Sequence, residues 1–250
     1  MTWTLAHIFR HPVKGLGEEE LEEVDLRKGK PMPYDRRWAI AHGDAESIHG
    51  WAPPKNFVNQ THVPRLAQLK IRFRPENHLL ELSHPDRPDI AIQPGSVEGD
   101  DELSEWLEPL VQGTTRSGPF LVYVNNDGAF TDFIETDISI GSEASRRALG
   151  EMAGTDMAHI RFRMNLWIEG MAPWEELDLV GKTLEVGDVQ IKIIDPVERC
   201  NATAASPVTG TRDVPTTQLL HEKFGHKDFG IYGQVTKGGT IRPGDEVSVL

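Results

Sequence analysis

Cysteine is the residue that this 250-residue sequence has least of, with a single copy at position 200. One cysteine excludes an internal disulfide. It also excludes an iron–sulfur cluster or an all-cysteine zinc site held by this chain alone, since each of these needs several thiolates. The fold must therefore rest on an ordinary hydrophobic core, and 38% of the residues are hydrophobic. At this length such a core corresponds to one large domain or two small ones.

Basic residues are also few, with 26 lysines and arginines against 39 acidic residues and a net charge of −13. A protein that binds nucleic acid without sequence preference needs a basic surface, so no nucleic-acid partner is expected. A local basic pocket for an anionic small molecule is compatible with this composition, because net charge says little about a buried site.

Long apolar runs are missing as well. No segment approaches the ~18 consecutive apolar residues of a membrane-spanning helix. The first residues, MTWTLAHIFRHPVKG, lack the apolar stretch of a signal peptide. There is no Walker loop, GxGxxG or GxSxG motif, and the ten histidines show no HxxxH spacing. We therefore expect a cytoplasmic protein with no membrane partner.

Short alternating segments broken by proline and glycine make up most of the chain. Strands are predicted in segments 5–13, 36–42, 90–94, 120–124, 160–168, 183–194 and 229–235, with a hairpin formed by 65–75 and 78–85. Many short strands with such breaks favour a small barrel or sandwich.

Three helices are predicted among these strands. The first lies in GDDELSEWLEPLV, with its apolar residues at helical spacing and Asp100 as its N-cap. The second, SEASRRALGEM, is capped by Ser142, and the third, TTQLLHEKFG, ends at Gly225. The predicted fold class is therefore a β-rich α+β protein with a few helices.

Cys200 lies in a polar loop, PVERCNATAASPVTGTRD (196–213). Free cysteines are commonly small buried hydrophobic residues, and that explanation is open here. A cationic neighbour such as Arg199 instead favours the thiolate, the form that binds metals or attacks electrophiles. The residues alone support both interpretations equally.

Basic side chains supply the other candidates. In RFRMN, Arg161, Arg163 and Asn165 alternate, so on a strand they would share one face and could cradle a phosphate or a polar ring. A solvated strand face is the commoner meaning of such alternation. Lys14 in HPVKG and Arg36 in YDRRW are further candidates, and Asp213 in TGTRD could pair with an arginine.

Taken together, six segments in order resemble the MOSC family, the domain named after the C-terminal part of molybdenum cofactor sulfurase. They are IFRHPVKG, YDRRWAIAH, RFRMN, ERCNATAASPVTGTRD, DFGIYGQV and GGTIRPGDEV. The resemblance covers nearly the whole chain, and the architecture is similar to that of the mitochondrial amidoxime-reducing components. It implies a small N-terminal β-barrel-like domain (1–115) packed on a larger MOSC β-barrel (116–250), with a cofactor in the cleft between them.

The resemblance also implies a site for the molybdenum cofactor, Mo-molybdopterin. Cys200 would supply a thiolate ligand to molybdenum. The pterin and its phosphate would be held by Lys14, Arg36, Ser142, Arg163, Asn165, Arg199 and Tyr232. Asp213 would orient the cysteine loop.

The chain departs from the family pattern at three positions. Gly15 replaces a serine that often follows the lysine of the PVK motif, and Met164 stands where relatives often carry proline or glycine. Glu198 places a carboxylate beside the implied metal, where amidoxime reducers tend to have a neutral residue; we interpret it as a catalytic proton carrier. These departures bear on the substrate more than on cofactor binding.

Four functions follow from this interpretation. The first is an oxidoreductase that reduces N-oxygenated small molecules with electrons from a separate ferredoxin-, cytochrome- or flavin-type donor. The second is a non-catalytic cofactor carrier. The third is a sulfur carrier that forms a persulfide on Cys200. The fourth is a barrel whose cysteine is structural, which the clustering of the motifs makes least favoured.

Overall fold

The computed structural model describes residues 2–48, 51–126 and 128–250. Its strands are β1 (Trp3–Arg10), β2 (Glu19–Glu20), β3 (Val24–Leu26), β4 (Trp38–Ala41), β5 (Lys70–Arg74), β6 (Leu79–His84), β7 (Arg87–Ile92), β8 (Leu121–Val124), β9 (Ile138–Ser142), β10 (Leu166–Glu169), β11 (Thr183–Val186), β12 (Val189–Glu198), β13 (Asp228–Lys237), β14 (Gly239–Ile241) and β15 (Glu246–Val249). Its helices are α1 (Val97–Val111), α2 (Glu143–Ala153) and α3 (Thr216–Phe224). No helix within these ranges is long and apolar enough to cross a membrane.

Seven strands close into a barrel in the order β1, β15, β11, β12, β13, β9 and β10, with β10 pairing back to β1. Neighbouring strands are antiparallel except for the parallel pair β9 and β10. Alternate side chains point inward, as along β12, where Val189, Ile191 and Ile193 are fully buried. Closure pairs both edges of each strand, so the barrel presents no open edge. The predicted fold class, a β-rich α+β protein with a barrel, is confirmed.

The barrel takes its first strand from the N-terminal part of the chain. Leu5 and Ile8 on β1 are buried in the same core as Ile191, and β3 pairs with β14 near the C-terminus. The barrel therefore includes a strand from the N-terminal side of residue 115, because β1 lies between β15 and β10. The domain boundary at residue 115 stays a prediction. Hydrophobic alternation predicts that a strand exists, but it carries no information about which strand is its neighbour.

The smaller part of the molecule combines the sheet β5–β6–β7, the pair β4–β8 and helix α1. The predicted hairpin of β5 and β6 is confirmed. Helix α1 packs Trp106 and Leu107 into a core that also contains Trp38 and Leu80. The Nε1 of Trp106 donates to the backbone oxygen of Pro88 at 2.6 Å, so the buried indole is satisfied.

The N-cap prediction for α1 is wrong, while those for the ends of α2 and α3 are confirmed. Helix α1 begins one turn earlier than predicted, because the extended Ser96 accepts a hydrogen bond from Gly99 N at 3.1 Å; Asp100 instead accepts from Gly95 N at 2.8 Å. Ser142 caps α2, and α3 ends at Gly225 in the left-handed conformation.

The predicted strand 160–168 is mostly wrong. Residues His159–Arg161 form a 3-10 turn, and only Leu166–Glu169 is a strand. Arg163 has φ +54°, a conformation incompatible with a strand, and this directs its guanidinium to backbone oxygens of the N-terminal part. Arg161, Arg163 and Asn165 therefore do not share a strand face.

Candidate functional site

A cavity of ≈ 390 Å³ lies between the barrel and the smaller part. Seven of the nine predicted site residues line it: Lys14, Arg36, Arg163, Glu198, Arg199, Cys200 and Tyr232. They come from both halves of the sequence, and the packing of the two parts brings them together. The volume falls within the roughly 300–1,000 Å³ typical of small-molecule and cofactor sites.

Cys200 opens toward this cavity at the point where the long strand β12 ends. It precedes a 3-10 turn, Asn201–Ala204, and its side chain is exposed. Its Sγ lies 3.4 Å from the Oγ1 of Thr61, which belongs to the smaller part of the molecule. A thiol that is exposed in a cavity is available to a ligand, so a purely structural role does not account for its position.

An ion pair between Arg161 and Asp213 connects the loop that carries Cys200 to the turn before β10. Arg161 donates from Nη1 and Nη2 to the two carboxylate oxygens of Asp213, both at 2.8 Å, and Nη1 also donates to the backbone oxygen of Ala205 at 3.1 Å. The prediction that Asp213 pairs with an arginine is confirmed. Burial acts to raise the pKa of Asp213, whereas the hydrogen bonds and the charge of Arg161 act to lower it. The net result is a lowered pKa.

Arg199 is a buried cation with neutral partners. Its Nε donates to the backbone oxygen of Phe229 at 2.9 Å and its Nη1 to that of Phe162 at 2.8 Å, and the guanidinium lies 5.6 Å from both of these aromatic rings. No carboxylate in the described ranges forms an ion pair with it. Burial lowers its pKa to about 10, so the group stays charged at neutral pH. The wall beside Cys200 thus carries a positive charge without a direct counter-ion.

Arg163 and Arg36 form a second cationic group in the wall. Arg163 donates to the backbone oxygens of Gly17 at 2.7 Å and Val13 at 3.2 Å. Burial, followed by the nearby Arg36, lowers its pKa to about 10. Arg36 pairs with Asp35 and donates to the backbone oxygen of Arg163 at 2.7 Å. Burial acts against the charge on Arg36, but Asp35 and Asp132 together outweigh it, so the pKa of Arg36 is raised.

Lys14 is held by an acidic residue that the sequence did not mark. Its Nζ donates to the backbone oxygen of Phe130 at 2.8 Å and contacts the carboxylate of Asp132. Burial lowers the pKa of Lys14. Burial also acts against the charge on Asp132, but the positive charges of Lys14, Arg36 and Arg163 lower the pKa of that carboxyl. The side chain of Asp132 is 62% exposed, facing the open cavity. It stands in a loop, FTDFIETD, without a recognisable motif.

Tyr232 and Glu198 add protic groups to the cavity. Tyr232 stacks on Phe133 with ring centroids 5.5 Å apart, and burial, followed by Asp132, raises its pKa to about 12. Its hydroxyl therefore remains protonated at neutral pH. Glu198, at the end of β12, is exposed and forms no ion pair within the described ranges. A proton-carrying role for Glu198 stays a prediction.

Two predicted residues lie outside the cavity wall. Ser142 is fully buried and caps α2, and Asn165 is buried behind Ser139, whose Oγ donates to its Oδ1 at 2.9 Å. Ser139 itself lines the cavity. Side chains alternate along β9, so Ser139 and Ser142 face opposite sides of the strand. Ser139, and not Ser142, is therefore the serine of β9 that reaches the cavity, and a cofactor-binding role for Ser142 stays a prediction.

Gln60 lines the cavity and was missed entirely. It is 1% exposed, and neither its Nε2 nor its Oε1 has a hydrogen-bond partner within the part of the chain that is described. Leaving a buried amide unpaired costs about 1–3 kcal/mol. Such a side chain in a cavity wall is typical of a binding position for a polar ligand group. Nothing in the local sequence NQTH distinguishes it from an ordinary loop residue.

Comparison with family models shows that the chain belongs to the MOSC family. The MOSC domain matches residues 109–248, and the MOSC N-terminal beta barrel domain matches residues 2–117. Together these matches cover nearly the whole sequence, as the resemblance in the six motifs predicted. The first of them excludes β1, although that strand completes the barrel.

Curated relatives fall into two groups. The chain is 31% identical to a molybdenum cofactor sulfurase of Drosophila grimshawi over 96% of its own length, but it spans only about a third (34%) of that relative. It is 25% identical to mitochondrial amidoxime reducing component 2 of Homo sapiens, covering 98% of this chain and 82% of the relative. Among solved structures, the YUAD protein from Bacillus subtilis is similar over 100% of this chain and 96% of its own, with a TM-score of 0.52 and 14% identity, which shows a shared fold.

Proposed function

We propose that this chain binds Mo-molybdopterin and acts as a molybdenum-dependent oxidoreductase that reduces N-oxygenated compounds. The observation that carries the proposal is the position of Cys200, whose thiol opens into a cavity walled by four cations: Lys14 and Arg199 are buried, and Arg36 and Arg163 are half-buried. The similarity to the amidoxime reducing component, which extends over most of both chains, supports the same activity.

The cavity has the groups that an anionic, polar cofactor requires. Buried guanidiniums bind phosphate strongly because their N–H groups donate charge-assisted hydrogen bonds. The charge of Arg199 has no direct ion-pair partner in the described ranges, so it is available to such a group. The unpaired amide of Gln60 offers both a donor and an acceptor to the polar edge of a heterocycle. A soft thiolate from Cys200 suits a molybdenum ligand.

When bound, the cofactor supplies two-electron redox chemistry and an oxygen-accepting centre. The overall reaction breaks an N–O bond, consumes two electrons and two protons, and releases the amine and water. One cysteine cannot hold an iron–sulfur cluster, so we propose a separate ferredoxin-, cytochrome- or flavin-type protein as the electron source. Glu198 would deliver protons from solvent, because its carboxylate is exposed at the cavity wall.

The protein's own residues would prepare the site. The Arg161–Asp213 pair fixes the loop so that Cys200 presents its sulfur at one position. Arg199, directly beside it in the chain, places a positive charge in the wall next to the sulfur. Tyr232 keeps its proton at neutral pH and can donate a hydrogen bond to an oxygen in the cavity.

A sulfur carrier is the second candidate, and the exposure of the Cys200 thiol is the observation that favours it. Persulfide formation needs a nucleophilic thiolate that a sulfur donor can reach. This candidate predicts a mass increase of one sulfur atom on Cys200 and no tightly held molybdenum.

The test is the molybdenum and pterin content per chain after expression in a host that makes the cofactor. We expect about one molybdenum per chain in the wild type and less than about a tenth in Cys200→Ser, because a single thiolate anchors the metal. Thr61→Val, which removes the hydroxyl 3.4 Å from the thiol but keeps the sulfur, is the matched control and should keep its metal.

Three results would contradict the proposal. Equal molybdenum in the wild type and Cys200→Ser would refute the ligand assignment. Absence of molybdenum from both, together with a persulfide on Cys200, would establish the sulfur carrier instead. Full cofactor loading without turnover of hydroxylamines or amidoximes, with a chemically reduced donor present, would favour a cofactor carrier.

A further inference from the structure

A second cluster of metal-binding side chains lies on the barrel outside the cavity. His7 on β1, Glu143 at the first position of α2 and His159 at the first position of the 3-10 turn each offer a ligand atom, and these atoms lie within 4.8 Å of one another. None of the three lines the cavity. We propose that they form a separate binding site for a divalent transition-metal ion such as Zn²⁺.

The donor set fits this class of ion. Two imidazoles and one carboxylate are ligands that zinc and its neighbours bind, whereas calcium and magnesium prefer oxygen alone. The three residues come from distant parts of the sequence and meet only because β1 pairs with β10 and β10 with β9, from which α2 follows. Sequence spacing could not reveal them for this reason.

Two of the three ligands have a partner that orients them. The Nδ1 of His7 lies 2.6 Å from the Oε1 of Glu20, which leaves Nε2 for an ion. Metal-bound histidines commonly donate their other ring N–H to a carboxylate in this way. Glu143 has its Oε2 occupied by Arg146, with the Nη2 of Arg146 at 2.9 Å, and its Oε1 is shared with His159 Nε2 at 2.5 Å. The oxygen that faces His159 is thus the one an ion would bind.

The contact between Glu143 Oε1 and His159 Nε2 determines how far these two ligands must separate to admit an ion. The 2.5 Å contact with His159 is shorter than the ~3.3 Å between two ligands of one tetrahedral ion with bonds of ~2.0 Å. Binding of an ion between these two groups would therefore move them apart by somewhat under 1 Å.

Charge and access also favour binding. The network around the cluster contains the carboxylates of Glu20, Glu143, Asp156 and Glu169 but only two guanidiniums, those of Arg146 and Arg147. A divalent cation would thus neutralise a net negative group. The side chain of His7 is 37% exposed, so an ion can enter from solvent and retain water as a further ligand.

Zinc titration of the full chain by calorimetry tests this site. The background is Cys200→Ser, because a cavity thiol could bind zinc by itself. We expect one zinc per chain, with the affinity reduced at least tenfold in both His7→Gln and His159→Gln. Glu20→Gln should weaken zinc binding less than the two histidine variants do, because it removes only the partner of a ligand. Loss of such a partner typically costs about 10–100-fold in affinity. His226→Gln is the matched control, since that exposed histidine pairs with Asp228 at 3.4 Å elsewhere on the surface.

The outcomes separate clearly. Affinities that do not differ between the parent and His7→Gln would overturn the proposal, as would the absence of any zinc binding. His7 is partly exposed, so its variant should fold even if His159→Gln does not. Co²⁺ gives an independent readout, because a tetrahedral site with histidine ligands produces a visible absorption band. Loss of that band in His7→Gln, with retention in His226→Gln, would support the site.

Discussion

The amide of Gln60 is buried in the cavity wall and has no hydrogen-bond partner within the described ranges. A buried amide of this kind lowers the stability of the ligand-free protein, and the loss is recovered when a ligand supplies the missing partners. Gln60 is therefore expected to lower the stability of the cofactor-free protein and to increase the retention of the cofactor. Most residues of a binding cavity cannot be recognised in this way, because they already have hydrogen-bond partners within the protein and so show no missing one.

Gln60→Met is expected to stabilise the cofactor-free protein by about 1–3 kcal/mol, because it removes the unpaired amide and keeps a similar volume. The same variant should release its pterin faster than the wild type. Thermal unfolding of cofactor-free protein and the pterin fluorescence retained after gel filtration measure the two effects. Gln218→Met, on the exposed face of α3, should change stability by less than about 0.5 kcal/mol. A lower melting temperature for Gln60→Met would contradict the binding role.

The cysteine loop depends on a contact between two elements, the 3-10 turn His159–Arg161 and the segment that follows Cys200. Arg161 is 3% exposed, and Asp213 is 37% exposed. Asp213→Asn should destabilise the protein by about 1–3 kcal/mol. This is less than the 3–5 kcal/mol for a fully buried pair, because solvent screens the carboxylate. It should also lower molybdenum retention, since Cys200 would lose its fixed position.

The pH dependence of this contact has a definite sign. The pKa of Asp213 is lowered in the folded state, so its contribution to stability is present above the ordinary carboxyl pKa of about 3.9. That contribution is lost as the pH falls through the lowered value. Denaturant titrations of the wild type and Asp213→Asn at several pH values should therefore converge in strongly acidic buffer. A constant difference down to that pH would contradict the ion pair as the cause.

At the level of elements, the sequence predicts what local physics determines. The helices α2 and α3 and the hairpin of β5 and β6 follow from caps and alternation, and all are found. The segment 160–165 was predicted wrongly, because buried arginines in a turn alternate with apolar residues just as they would on a strand. The charge of the buried Arg161 is compensated by Asp213, which lies 52 residues later in the sequence. The residues around Arg161 therefore give no indication that it is buried.

The candidate site was predictable where a motif fixes a residue and not where packing does. Lys14, Arg36 and Cys200 were expected at one cleft and meet there. Gln60 and Asp132 enter the same cavity from loops whose sequences are unremarkable. The zinc-type ligands His7, Glu143 and His159 come together only through strand pairing. Long-range pairing is the property that short sequence patterns do not encode.

For the whole molecule, closure of the barrel is the feature that connects the two regions of the chain matched by the two family models. Strand β1 lies in the region matched by the N-terminal family model, yet it hydrogen-bonds to β10 and β15. Leu5, Ile8 and Leu26 are buried in the core that the C-terminal strands form. The barrel is therefore built from both matched regions, and residues of both line the cavity.

A fragment of residues 116–250 is accordingly expected not to fold on its own, although it contains most of the MOSC match. Without β1, the facing edges of β10 and β15 would be unpaired and the barrel core would be open to water. Circular dichroism should show no cooperative thermal transition for this fragment. Adding residues 1–115 as a second polypeptide should restore the transition, because β1 then returns to its place. A cooperative transition in the fragment alone would instead mean that β1 contributes only an outer strand. The N-terminal part would then be needed for Lys14, Arg36 and the cavity, but not for the fold.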